Sequence, residues 1–204
     1  MHPRRGGWWG LAFLGLLLIQ ASMVSVPTAA DATHHVRAFY DDHASVIVAA
    51  QLLGAIALLP FVLFARALAR TAPDRARTWI MPAVACVVVT ELVTNAIPLW
   101  LSMTFDGSDT SIDRLVRAND LADALLLLAL AGFALTTSVG RGRVLLWLGR
   151  LSAGLMALGA LLSFAGVSGL EAAAPISFIV FVLGHVVAIF REGSPGPPAA
   201  VPRA

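Results

Sequence analysis

The sequence predicts an all-α fold, a polytopic membrane bundle of six transmembrane helices with the N- and C-termini in the cytoplasm. Three observations carry it. First, 58% of the 204 residues are hydrophobic and only 13% are charged, where a soluble domain holds roughly 25% charged residues. A mean hydropathy of +0.83 leaves too few polar side chains to cover a water-facing surface. Second, six apolar runs each approach the ~20 residues that cross a bilayer core as a helix. Third, the arginines gather in every second loop.

The first span covers 8–29 and follows Arg4 and Arg5. Residues 1–32 also fit a secretory signal, with Ala30-Asp31-Ala32 as the cleavage site, which leaves five spans. The apolar character continues through Met23, Val24 and Val26, long for a signal core, so a retained helix with Gln20 near its middle is the reading preferred. The second span, 44–65, carries Gln51, and the third, 79–101, carries Cys86, Glu91, Thr94 and Asn95. The loop between the third and fourth spans holds Asp106-Gly107 and Asp109, a turn signal. The fourth span, 121–139, is preceded by Asn119 and Asp120, and Arg141 and Arg143 mark the short turn into the fifth, 144–167. The sixth, 172–190, contains His185, and the Pro/Gly/Ala-rich tail 192–204 is expected to be disordered. Helix is the state these runs require, because an isolated strand in lipid leaves its backbone groups unpaired. The period-two alternation of a membrane barrel is absent.

Orientation follows from the basic residues, all 14 of which are arginine. Eleven (Arg4, Arg5, Arg66, Arg70, Arg75, Arg77, Arg141, Arg143, Arg150, Arg191 and Arg203) fall on one side of the six-span layout; Arg37, Arg114 and Arg117 fall on the other. That second side also takes Asp31, Asp41, Asp42, Asp106, Asp109, Asp113 and Glu171. Cytoplasmic loops are enriched in Lys and Arg, so the first side is inside. The net charge of +2 and pI near 9.5 do not mark a nucleic-acid binder, because the arginines sit in short loops and form no continuous basic face. Cys86, the only cysteine, excludes an intrachain disulfide and is expected to be a buried, inert thiol.

Polar residues inside the spans are the candidate site, because they are costly in lipid. Glu91 is the sharpest. Asn95 is four residues on and shares its helical face, and Thr94, three residues on, adjoins it. Such a carboxyl must face protein or water. It serves either as a ligand-binding or proton-titrating group or as a neutral acid in interhelical hydrogen bonds. Asn119, Asp120 and Asp123 form a second group, for which helix capping is the alternative at Asn119 and Asp120. Depth along each span places Gln51, Asn95 and Asp123 in one layer of the outer half, with Glu91 a turn deeper. The expected structure is a polar cavity open to the outside, floored by Glu91, with Arg114 and Arg117 near enough to its rim to pair with the aspartates.

His34, His35 and His43, beside Asp42, are weak candidates for a surface metal site; no metal and no cofactor is expected. His185 is expected to hydrogen-bond between helices, and no second histidine faces it at similar depth to hold a haem. The sequence lacks a Gly-x-Ser-x-Gly elbow, a His-Glu-x-x-His motif, a phosphate loop and a dinucleotide fingerprint. It also lacks the internal repeat of many transporters.

The stretch AFYDDHASVIVAAQLLGAIALLPFVLFARALAR, with Tyr40 and His43 before an apolar helix, and the later RGRVLLWLGRLSAGLMALGALLSF resemble small multi-pass integral membrane proteins of bacteria of unknown function. The resemblance is architectural, covers about 38–164, and brings no catalytic residues with it. Two functional classes follow from the residues. One is a non-enzymatic membrane component whose outward-facing pocket binds a small ligand, a lipid or a membrane-protein partner. The other is a proton-coupled transporter or permeation subunit that uses Glu91, in which six helices would be expected to assemble as a homo-oligomer. The first is preferred, and the bilayer itself is the expected partner in both.

Overall fold

In a computed structural model, which describes residues 4–104, 108–165 and 173–192, the chain forms six α-helices. They are α1 (Arg4–Met23), α2 (Thr33–Thr71), α3 (Asp74–Thr104), α4 (Asp109–Ser138), α5 (Arg143–Phe164) and α6 (Ala173–Glu192). All six are long and apolar enough to cross a membrane, and the described residues contain no strand. The Asp106-Gly107 turn, Glu171, Arg203 and the tail 193–204 lie outside the described residues. Glu192, assigned to the tail from sequence, is the last residue of α6.

Each helix packs on the next in the chain, and α1 closes the ring against α6. Short connections between consecutive helices produce this order, since neighbours in sequence become neighbours in space. One end of the ring therefore collects the arginine-bearing loops and the other the arginine-poor ones. Large apolar side chains cover the outside, among them Trp8, Leu59, Val89, Trp100, Val144 and Leu151, each more than half exposed. Cys86, expected inside, is also on this outer surface: α3 turns Val84 and Val87 inward, and a residue between them points away.

Helices exceed the predicted spans at the arginine-poor end. α2 has 39 residues, roughly 58 Å at about 1.5 Å per residue, twice the hydrocarbon thickness. Its first turns, with the ends of α3 and α4, build a small apolar cluster of Val36, Tyr40, Ile47, Leu101, Ile112 and Val116, joined by Val24 and Val26. That burial extends the helices beyond the apolar runs that hydropathy detects. α1 behaves oppositely and stops at Met23, so residues 24–32 cross the arginine-poor end as a non-helical strap.

The arginine-rich half is closely packed. Gly6, Gly7 and Gly10 on α1 lie directly against Ala67, Phe190 and Val186, leaving no room for a Cβ. Gly149 lets α5 settle on Ser138 and the Ala134 carbonyl of α4. The α4–α5 turn passes through Gly140 (φ 76°) and Gly142 (φ 84°), a left-handed backbone that favours glycine. Two arginines then satisfy the free carbonyls at the C-terminus of α2. Arg77 donates to Ala69 O and Arg70 O, each at 3.1 Å, and Arg141 donates to Leu68 O. Burial pushes the Arg141 guanidinium down from its ordinary value, and the nearby Glu192 carboxylate opposes this.

Candidate functional site

The centre of the bundle is filled at one level and hollow at the next. Phe61, Phe133, Phe178 and Phe181 form a connected aromatic layer, with Phe13 against Phe61 at 5.1 Å between ring centroids and Phe61 against Phe133 at 5.1 Å. Between this layer and the arginine-poor cluster lies a half-enclosed cavity of about 900 Å³. All six helices and the strap contribute to its wall. It exists because the glycine contacts close the helices tightly at one end, while small residues such as Ala57, Ala124 and Gly159 line them at the other.

Its wall has two parts. Towards the arginine-poor end stand Glu91 on α3 and Arg117, Asp120 and Asp123 on α4, with Gln20 from α1. Each carboxyl is held by an uncharged donor. Asn95 Nδ2 donates to Glu91 Oε1 at 3.1 Å, Asn119 Nδ2 to Asp123 Oδ2 at 3.0 Å, and the Ala29 backbone N–H to Asp120 Oδ2 at 2.9 Å. The last bond latches the strap to α4, and Thr33 Oγ1 adds a second tie to Asp113 at 2.7 Å. Asp123 lies within electrostatic reach of both Glu91 and Asp120, and Tyr40 within reach of the two aspartates. Deeper, the wall is apolar: Leu17, Phe61, Val87, Leu130, Met156 and Phe178.

The structure thus brings Glu91, Asp120 and Asp123 to one cavity and separates the other candidates from it. Asn95 is buried behind Glu91, and its Nδ2 also bonds the Glu91 carbonyl at 2.8 Å. Thr94 is buried and donates to that same carbonyl at 2.9 Å. Gln51 is buried but does not line the cavity. Glu91 is not the floor, because all six helices continue an apolar wall below it. Capping does not explain Asn119 and Asp120: α4 begins ten residues before Asn119, at Asp109, so both sit well inside the helix. Arg117 lines the cavity, yet no ion pair joins Arg114 or Arg117 to an aspartate among the described residues. The arginine-poor end is instead pinned by Arg37–Asp109 at 3.0 Å.

Gln20 and the strap were not assigned to the site from sequence. The Gln20 and Asn95 side chains both reach over Gly54, where a Cβ would lie 2.6 Å from Gln20 Nε2 and 2.8 Å from Asn95 Oδ1. The signal was available for Gln20, an amide alone in an apolar run. No local pattern marks Ala29, which acts through its backbone. Among the described residues no group of three or more His, Cys, Asp or Glu converges to hold a metal. His34 and His35 stack on each other at 4.1 Å, and His43 stacks on Phe39 at 4.7 Å. His185 is buried near the closed end, its Nδ1 on Phe181 O of its own helix at 3.2 Å.

No family model, curated protein or solved structure matches this chain.

Proposed function

We propose that this chain is a non-enzymatic integral membrane protein that binds a small amphipathic molecule in its cavity. The carrying observation is the cavity itself: about 900 Å³, walled by all six helices, apolar over most of its depth and polar towards one end. Ligand sites commonly span ~300–1,000 Å³ and combine apolar walls with a few convergent polar groups. In the membrane the arginine-rich end faces the cytoplasm, so both termini are inside and the polar part of the cavity faces outward. The tightly packed opposite end favours a closed binding pocket over a through-going path. α1 belongs to the mature protein in this reading, because it supplies Phe13, Leu17 and Gln20 to the wall and closes the ring.

A neutral, apolar diazirine photoprobe tests this in native membranes. Adducts mapped by mass spectrometry are expected on Leu17, Leu130 and Leu162, which line the cavity from three helices, as well as on outward residues such as Leu59 and Val89. Leu127→Trp, which fills the cavity from α4, should remove the first set and leave the second. Adducts confined to the outer surface in the unmodified protein would show that nothing enters the cavity.

A further inference from the structure

The charge on the cavity wall narrows the ligand's chemistry, and this inference rests on the binding reading above. Three carboxyls, Glu91, Asp120 and Asp123, face the cavity against a single cation, Arg117. The ion pairs among the described residues are Arg37–Asp109 and Arg77–Asp74, so none of the three carboxyls is paired with a cation there. Their partners are amides: the Asn95 and Asn119 side chains and the Ala29 backbone. An amide donor orients a carboxylate without cancelling its charge. Asp123 lies within electrostatic reach of both other acids, so a cation entering the cavity relieves their mutual repulsion and stabilises the ionised forms.

Holding helices together does not require such a group. Elsewhere in the bundle the chain uses neutral contacts for that purpose, as where Ser152 Oγ of α5 donates to Ser177 O of α6 at 2.9 Å. Like charges gathered beside an apolar hollow attract a cation, and in low-dielectric surroundings the attraction is much stronger than in water. Below the acids, Leu130, Met156, Phe61 and Phe178 offer a surface for a bulky apolar body. A small hydrated metal ion would leave that lower wall unused, and a fatty-acid anion would meet the acids with the wrong sign.

We propose that the cavity takes a lipophilic monocation, with the charged centre between Glu91 and Asp123 and the apolar body directed towards Phe61 and Phe178. Asp120 is already engaged by the strap through Ala29 and serves chiefly to hold the mouth in place.

Tetraphenylphosphonium and tetraphenylborate have nearly the same size and shape and opposite charge, which isolates this question. Their binding to the full-length protein in uncharged detergent is measured by equilibrium dialysis. The cation is expected to bind at least tenfold more tightly than the anion. Glu91→Gln with Asp123→Asn should reduce that preference at least tenfold, because both amides keep size and hydrogen bonding but lose charge. If the double variant does not fold, Asp123→Asn alone should reduce the preference in the same direction, and the unmodified protein's preference remains decisive. Equal binding of both ions, or preference for the borate, overturns the charge assignment and leaves the cavity reading standing. Binding of neither ion while the diazirine still labels Leu130 also overturns it. Failure of both ions and the diazirine removes both readings.

Discussion

Gly149→Ala should loosen the closed end of the bundle. A Cβ there would lie 2.5 Å from both Ser138 Cβ and Oγ and 2.9 Å from the Ala134 carbonyl oxygen. Ordinary contact begins at 3.4 Å, so the new methyl group intrudes by about 0.9 Å. Ser138 is fully buried and the Ala134 oxygen is backbone, so neither yields without moving α4 away from α5. Overpacking of this kind costs about 1–3 kcal/mol. Two controls separate it from a general effect of alanine. Gly154 on the same helix has nothing within 4 Å of its would-be Cβ, so Gly154→Ala should gain about 0.5–1 kcal/mol from reduced backbone freedom. At Gly54 the obstacles are the ends of Gln20 and Asn95, which can turn aside, so Gly54→Ala should fall between the two. Thermal unfolding in detergent, followed by tryptophan fluorescence, reads the series. At roughly 2–4 °C per kcal/mol for a chain of this size, the difference of about 1.5–4 kcal/mol should make Gly149→Ala melt about 3–16 °C below Gly154→Ala. Equal melting temperatures would refute the claim that glycine contacts close this end.

Two further outcomes are expected. In a Cys86→Ala background, Asp109→Cys should react with an impermeant thiol reagent in intact cells and Arg75→Cys should not; outside labelling of the latter would reverse the proposed orientation. Arg141→Ala should lower stability by about 1.5–3 kcal/mol in the same melting assay, the range for a hydrogen bond to a charged group, because the Leu68 carbonyl loses its charged donor and keeps only the Thr71 hydroxyl at 3.2 Å; an unchanged melting temperature would show that the Thr71 hydroxyl or solvent satisfies that carbonyl.

The six helices were legible in the sequence because their signal is compositional. A run of about 20 apolar residues leaves the backbone only one way to satisfy its hydrogen bonds in lipid. Glu91 was legible for a related reason: a carboxyl inside such a run stands out by its cost, and the four-residue spacing placed Asn95 beside it, where the structure has a 3.1 Å bond. Helix ends at the arginine-poor side were not legible. Residues 33–43 and 109–120 are polar enough to read as loops; as helix they pack Val36, Tyr40, Ile112 and Val116 on one another and on Ile47 of the predicted second span. The same blindness made Asn119 and Asp120 look like caps.

What the sequence by itself determined is therefore a set of six apolar helices, the alternation of arginine between their connections, and the expensive polar residues within them. The tertiary structure decided which of those residues meet. Periodicity assigns a residue to a face of its own helix, but not to a partner. The partner depends on how closely each pair of helices approaches, and that is set by contacts between residues far apart in the chain, such as Gly6 with Ala67 and Gly10 with Val186. Those contacts draw the helices together at one end and leave them apart at the other. That is why Glu91, Asp120 and Asp123 share a mostly apolar cavity while Gln51, at a similar depth, lies outside it.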